Sequence, residues 1–341
     1  VASRFNDTRL RQMLTYPAVF LSSHPARTPS MYHLMSHTDL TQGVLYPQGG
    51  FGAVMDAVYD LAVQQGVQFS FDTEVAAINY SGRKATGITL IDGHQLHADT
   101  IISCADLHHT ETRLLPREKR TYGEAYFAPR DPGLGTVLVM LGVEGRIPEL
   151  AHHNLLFSRD WDDDFAAVFD GPVPQRPLGS SRSIYVSKPS ATDPGVAPAG
   201  HENLFVLVPV AAEEAVGHGD MYRDRASEQV ESIADAAVEQ ISRWCGVEGL
   251  DRRIVVKRTL GPADFSERYH AWSGGSIGPA HTLRQSAFLR GSNRSRKLKN
   301  LYYAGATTTP GVGVPMCLIS AENVIKRLRG DKNPGPLPEA L

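Results

Sequence analysis

The residues best suited to chemistry lie near the end of the chain. Leu301-Tyr-Tyr-Ala-Gly305-Ala-Thr-Thr-Thr-Pro310-Gly-Val-Gly313-Val-Pro315 leads an apolar strand through a glycine-rich turn into a helix. Glycine lets backbone approach a ligand closely. A helix start presents unpaired N–H groups and about half a positive charge, so an anionic group is its natural guest. Pro315 suits the first helical turn, where its missing N–H would have had no partner. Leu318, Ile319, Val324, Ile325 and Leu328 form the apolar stripe that makes the following segment a helix. The residues alone leave two readings open, a plain tight turn and an anion-facing cradle.

Other candidates carry less. His108-His109 and His152-His153 are tandem pairs, but neighbours on a helix or strand point apart, and no Cys or Glu stands at metal-site spacing. They read as surface or loop histidines, and no metal is expected. Asp160-Trp-Asp-Asp-Asp164 lacks the glycine and terminal Glu of a calcium loop. There is no G-x-S-x-G elbow and no P-loop. His270 and Trp272 precede the Gly274–Gly278 turn without a proton-transfer role, so the catalytic residues stay unassigned. From Glu267 to Glu322 no acid intervenes, while Arg268, Arg284, Arg290, Arg294, Arg296, Lys297 and Lys299 fall in the interval. That interval reads as a solvated basic loop, or as a contact for lipid headgroups or a cofactor pyrophosphate.

The elements that position these residues follow from periodicity. Phe5 to Leu14 reads as helix, and Pro17, Pro25 and Pro29 break up the segment after it. Gly43–Gly52 is a glycine-rich turn before an amphipathic helix over 53–65, with Val54, Val58, Leu61 and Ala62 on one face. Strands are expected at Val67–Phe71, Glu74–Tyr80, Thr86–Ile91 and Gln95–Ala98, a meander joined by tight turns, and at Thr100–Cys104, which is free to join another sheet. Further strands at Thr136–Val143, His153–Phe157, Ser183–Val186, Leu204–Val210 and Arg253–Thr259 suggest an antiparallel sheet. It is backed by a helix over 225–245 with Val230, Ile233, Ala237, Ile241 and Trp244 on one stripe. Loops 170–182 and 189–201 are rich in Pro and Gly.

In order and spacing, Gly274–Pro279, Gln285–Arg290, Asn293–Ser295, Leu301–Ala306 and Pro310–Pro315 together resemble the C-terminal block of the phytoene desaturase (carotenoid desaturase) family. Tyr46–Gly50 is similar to that family's earlier turn-helix element, and Glu74-Val75 and Ile102–Asp106 to its adenine-side strands. The resemblance implies an α/β, mixed α+β, two-domain fold of the FAD-dependent amine-oxidase kind. It also implies FAD as cofactor, held by Val75, Ala105 and Asp106 toward the adenine end. Gly305 and Ala306 would lie along the pyrophosphate and ribityl, with Gly313, Val314, Pro315 and Met316 beneath the isoalloxazine. The implied reaction desaturates phytoene or a related acyclic carotenoid precursor in carotenoid biosynthesis, with hydride passing to flavin N5 and a proton lost from the neighbouring carbon. A long apolar polyene as substrate implies a peripheral membrane surface as partner.

The family opens with a strand, a G-x-G-x-x-G turn and a helix that grip the nucleotide. These residues contain no such motif, so the chain is expected to resemble a truncated, C-terminal two-thirds, lacking the Rossmann βαβ unit. Exposed strand edges and apolar surface should result. Alternatives are a carotenoid isomerase, an amine oxidase, or a non-catalytic lipid-binding remnant. The expected division is a helical substrate segment (1–65), an FAD-domain meander (66–110), a substrate domain (111–285), an FAD-domain strand-turn-helix (286–330) and a tail (331–341).

Composition fits this reading. The 341 residues carry a net charge of −3 and 42% hydrophobic residues, which gives no argument for nucleic acid. Cys104, Cys245 and Cys317 are odd in number and far apart, with no disulfide framework in their spacing. No apolar run approaches the roughly 18 residues of a membrane span, and no signal peptide follows Val1. A cytoplasmic, membrane-peripheral oxidoreductase is the expectation.

Overall fold

In the computed structural model, residues 1–159, 161–170 and 180–338 are described. Most of the 170–182 loop, Asp160 and the last tail residues lie outside them. The strands, in chain order, are β1 (Val75–Ser81), β2 (Lys84–Leu90), β3 (Gln95–His97), β4 (Ile101–Ser103) and β5 (Leu134–Glu144). They continue with β6 (His153–Leu156), β7 (Ile184–Ser187), β8 (His201–Ala211), β9 (Ile254–Leu260) and β10 (Leu301–Tyr303). The helices that matter below are α1 (Gly50–Gln64), α2 (Leu107–Thr112), α3 (Glu228–Cys245) and α4 (Val314–Arg329). Two units result: residues 1–17, 30–69 and 134–265 form the first, and 18–29, 70–133 and 266–341 the second. Among the described residues no helix is long and apolar enough to cross a membrane.

The first unit is built on an antiparallel sheet in the order β6-β7-β8-β5-β9. β5 and β8 pair without a break from Leu134↔Ala211 to Glu144↔His201. Alternate residues Val137, Val139, Leu141 and Val143, with Leu204, Val206, Val208 and Val210, are buried. They form one core with Val230, Ile233, Ala237 and Ile241 of α3. Burying each such side chain contributes about 1.5–3 kcal/mol. Trp244, expected on the same stripe, is 39% exposed, because burial of the stripe stops one turn earlier at Ile241. α3 ends at Gly246, whose φ of 74° makes a left-handed cap.

α1 begins at Gly50 rather than Ala53, taking the last glycines of the expected turn into its first turn; it follows Gly49 at φ 82°, whose N–H donates to Asp193 Oδ2 at 2.7 Å. The apolar residues of α1 find no core: Phe51 and Leu61 are 61% and 60% exposed, and none of the helix is buried. The strand expected at Val67–Phe71 does not form. Its alternation serves another purpose, since the Phe69 ring packs 4.5 Å from Tyr59 and the Val67 N–H closes the helix end on the Ala62 carbonyl.

In the second unit β1, β2 and β3 form the expected antiparallel meander. β4 pairs in parallel with β10, Ile101↔Leu301 to Ser103↔Tyr303, and Ile102 remains 45% exposed. Leu318 and Ile319 on α4 are also exposed, so the expected apolar surface is present on these elements. A core of Ile78, Leu114, Leu115, Phe127, Leu298 and Tyr303 holds the unit together.

Glu111 on α2 is fully buried in this core. Its Oε2 accepts the Thr121 and Tyr122 N–H groups at 2.5 and 3.0 Å, and Oε1 accepts the Tyr303 hydroxyl. The carboxyl is pushed up by burial, against the pull of those donors. Glu111→Ala strands three buried donors and is expected to cost about 3 kcal/mol in urea unfolding. Glu111→Gln keeps an acceptor oxygen for both backbone N–H groups and should cost less than half of that. Equal costs for the two variants would show that the hydrogen bonds do not hold this corner.

Candidate functional site

The glycine turn is built around one buried asparagine. Asn293 Nδ2 donates to the Tyr303 carbonyl at 3.2 Å, to the Thr309 carbonyl at 2.9 Å and to Ser320 Oγ at 3.0 Å. The Tyr303 N–H in turn donates to the Asn293 carbonyl at 3.1 Å. One side chain thus ties the end of β10, the turn and α4 together. Gly305, at φ 110°, donates its N–H to Ser320 Oγ at 3.1 Å. Arg290 is buried rather than part of an exposed basic face. Its Nη1 reaches the Pro279 and Gln285 carbonyls at 3.0 and 3.1 Å, and Nη2 the Ala306 carbonyl at 2.8 Å.

The turn ends at Gly313, φ 111°, where α4 starts. No side chain caps that start, and its first turn holds no acid; Lys326, Arg327 and Arg329 occupy the last turn. Gly313, Val314 and Pro315 are exposed, and Met316 is half-buried. The helix dipole is therefore complemented at its C-terminal end and left open at its N-terminal end. Gly305 meets nothing closer than 3.7 Å where a Cβ would stand, so bare backbone borders open space there. Gly311 differs: a Cβ would lie 2.4 Å from His281 Nε2. His281 is a residue that the sequence offered no signal for, buried behind the turn with its Nδ1 2.9 Å from the Leu21 carbonyl. These features fit a flat, electron-accepting group such as a flavin on the turn side.

Of the adenine-side residues, Val75 opens β1 opposite Leu90 and packs half-buried on the core. Ala105 is exposed. Asp106 caps α2, accepting the His108 N–H at 2.7 Å and the Trp272 N–H at 3.2 Å. Burial pushes its carboxyl up despite those donors. It edges a cleft floored by Phe127 and Trp272 with Arg130 and Thr307 nearby, about 350 Å³ including its open mouth. The cleft's enclosed space is only about 20 Å³, room for about one water molecule. Val75, Asp106 and the α4 start all lie in the second unit.

His108 and His109 depart from the surface reading, whereas His153 is exposed as expected. His108 packs edge-on to Phe127 at 4.7 Å and stacks on Trp272 at 5.7 Å, and His109 stacks on His270 at 3.9 Å. In the first unit the His152 and His153 rings lie 4.3 Å apart, not splayed, because His152 precedes β6 and escapes its alternation. Among the described residues no three His, Cys, Asp or Glu side chains gather for a metal.

Burial pushes His109 down to about 4, with His270 and Arg113 adding to it; burial and Arg290 do the same to His281. The folded chain resists protons that the unfolded chain accepts near pH 6.5. Stability is therefore held above about pH 6.5 and falls as pH drops toward 4. His109→Phe keeps a stacked ring and removes the proton site. Its urea midpoint should fall less steeply than that of the native chain between pH 6.5 and 4.5. A parallel slope would dismiss His109 as a contributor.

Known proteins bear on this geometry. A carotenoid 3,4-desaturase of Haloarcula japonica is 41% identical over 97% of this chain and 64% of its own length. A zeta-carotene-forming phytoene desaturase of Myxococcus xanthus is 32% identical over 96% and 61%. The chain thus spans under two-thirds of the length of these curated relatives. In fold it is similar to an oxidoreductase from Methanosarcina mazei, with a TM-score of 0.63 at 18% identity over 95% of this chain and 66% of that one. A Pyrococcus furiosus protein gives a TM-score of 0.57 at 11% identity, over 97% and 66%. The family profile described as flavin containing amine oxidoreductase matches residues 1–327. With a glycine turn and an open helix start suited to a flavin, and nearly its whole length matched, the chain belongs to the flavin-containing amine oxidoreductase family.

Proposed function

We propose that this chain contributes the turn-and-helix side of an FAD site in a desaturase of phytoene or a related acyclic carotenoid precursor. The observation that carries the reading is the uncapped, exposed start of α4 behind the positive-φ Gly305 and Gly313. The names of the relatives, carotenoid and phytoene desaturases, support the substrate class. Bound FAD supplies the hydride acceptor. The chain's own part is electrostatic and positional. The N–H groups of the first turn of α4 favour negative charge near Gly313–Met316. Arg290 and Asn293 hold the turn by its carbonyls. Phe127 and Trp272 make the wall of the neighbouring cleft apolar. Positive charge on an allylic carbon is stabilised by the polyene itself, so no side chain here is assigned as base.

A lipid-borne substrate calls for a docking surface. Leu283, Phe288 and Leu289 are 72%, 85% and 44% exposed on adjacent short turns with exposed Arg284 among them. An apolar tip beside a cation suits an anionic bilayer surface.

Titration of the purified chain with FAD, followed by flavin fluorescence, tests the cofactor reading. Binding is expected, and Gly313→Val, forcing a side chain at φ 111°, should weaken it about tenfold or more, ~1.4 kcal/mol. A chain that stays colourless in excess FAD removes the claim that this polypeptide binds it unaided. If FAD binds, conjugated-polyene absorbance should appear with phytoene in liposomes, and turnover of a primary amine instead would sink the desaturase reading.

Flotation on phosphatidylserine vesicles should exceed that on phosphatidylcholine, fall with salt and be largely lost in Phe288→Glu. Flotation insensitive to that substitution would move the docking surface elsewhere.

A further inference from the structure

Cys104 and Cys317 are far apart in sequence and flank the glycine turn. Cys104 directly follows β4, whose Ser103 carbonyl accepts the Ala304 N–H at 3.0 Å. It therefore emerges beside Gly305, where a Cβ on the glycine would stand 3.7 Å from the Cys104 carbonyl oxygen. On the other side, the Gly305 N–H is 3.1 Å from Ser320 Oγ. Cys317 precedes Ser320 by three residues on α4, so both lie on one helix face. Gly305 is thus flanked by Cys104 and by the face that carries Cys317. Ser103 Oγ meets Thr110 Oγ1 of α2 at 2.7 Å, so by alternation Cys104 faces the opposite side, where Ala304 packs against Val324 on the α4 face that also carries Cys317. Both are free thiols, Cys104 exposed and Cys317 half-buried. Cys245, on α3 of the first unit, is an internal reference.

We infer that Cys104 and Cys317 form an oxidisable dithiol that a low-molecular-weight disulfide converts to a Cys104–Cys317 disulfide. The exposed Cys104 thiolate attacks one sulfur of oxidised glutathione, whose S–S bond breaks and expels one glutathione thiolate. Cys317, as thiolate, attacks the Cys104 sulfur of the mixed disulfide and expels the second. Two protein thiols are oxidised, one glutathione disulfide is reduced to two thiols, and the two protons lost by the cysteines go to the leaving thiolates. Because burial raises both thiols, the exchange runs faster toward alkaline pH. The bond pins the end of β4 to the first turn of α4. On the proposed flavin reading, on which this one consequence rests, it stiffens the cradle at Gly305 and Met316 and hinders entry of FAD.

The native full chain is incubated with oxidised glutathione at pH 8.5, alkylated, and analysed by intact and peptide mass spectrometry. The expected product has lost two hydrogens, carries a 104–317 cross-linked peptide and leaves Cys245 alkylated. Cys317→Ser should accumulate the glutathione adduct at Cys104. The cross-link should form about tenfold or more faster in the folded chain than in urea, since folding sets the effective thiol concentration. Separate glutathione adducts on Cys104 and Cys317, or equal rates in urea, overturn the pair. FAD titration of the cross-linked and reduced forms then separates the claims. A cross-link with unchanged FAD affinity upholds the dithiol and removes only its effect on the cofactor.

Discussion

Everything at the candidate site hangs on the buried Asn293 amide. Its Nδ2 reaches the end of β10, the glycine turn and α4 within 3.2 Å, through Tyr303, Thr309 and Ser320. A glycine-rich turn has no side chains of its own to define its path, so its shape must be imposed from behind. Asn293 imposes it with donors, Arg290 with a fork onto carbonyls, and His281 by filling the space next to Gly311. The front of the turn is left as bare backbone with an open helix start. An apolar support would leave the turn carbonyls unpaired, at a cost of about 1–3 kcal/mol each.

The same division of labour explains the rest of the second unit. Glu111 joins α2, the 121–122 segment and Tyr303 of β10 through three hydrogen bonds, so the strand that feeds the turn is anchored at its side chain as well as its backbone. Asp106 caps α2 and holds the Trp272 backbone, which sets an aromatic wall beside the cleft. The first unit uses the same device at buried Asp264, whose Oδ2 accepts the Gly219 and Gly261 N–H groups at 2.6 and 2.8 Å. Its main core is aliphatic, packed against α3, and its register runs unbroken along β5 and β8.

The sheets, the long helices and the final strand-turn-helix were legible because each follows from a local period. The meander, β5, β8 and α3 stand within a few residues of where alternation and the helical stripe place them. Val67–Phe71 misled because alternation does not distinguish strand pairing from two rings folding back on a helix. His108 and His109 misled because their partners, Trp272 and His270, come from a remote segment. Basic Arg290 looked solvated until its carbonyl partners were in place.

Sequence alone determined the element types, the glycine turn and the polarity of α4, since propensity, turn chemistry and charge placement act over a few residues. The partners of buried polar groups were decided only by tertiary structure. Asn293, Arg290, His281 and Glu111 are ordinary letters in the chain, and their roles arise from groups brought together across long sequence separations. The proposed pairing of Cys104 and Cys317 has the same origin. Burial makes an unpaired polar group costly, and only the fold determines which groups are buried and beside what.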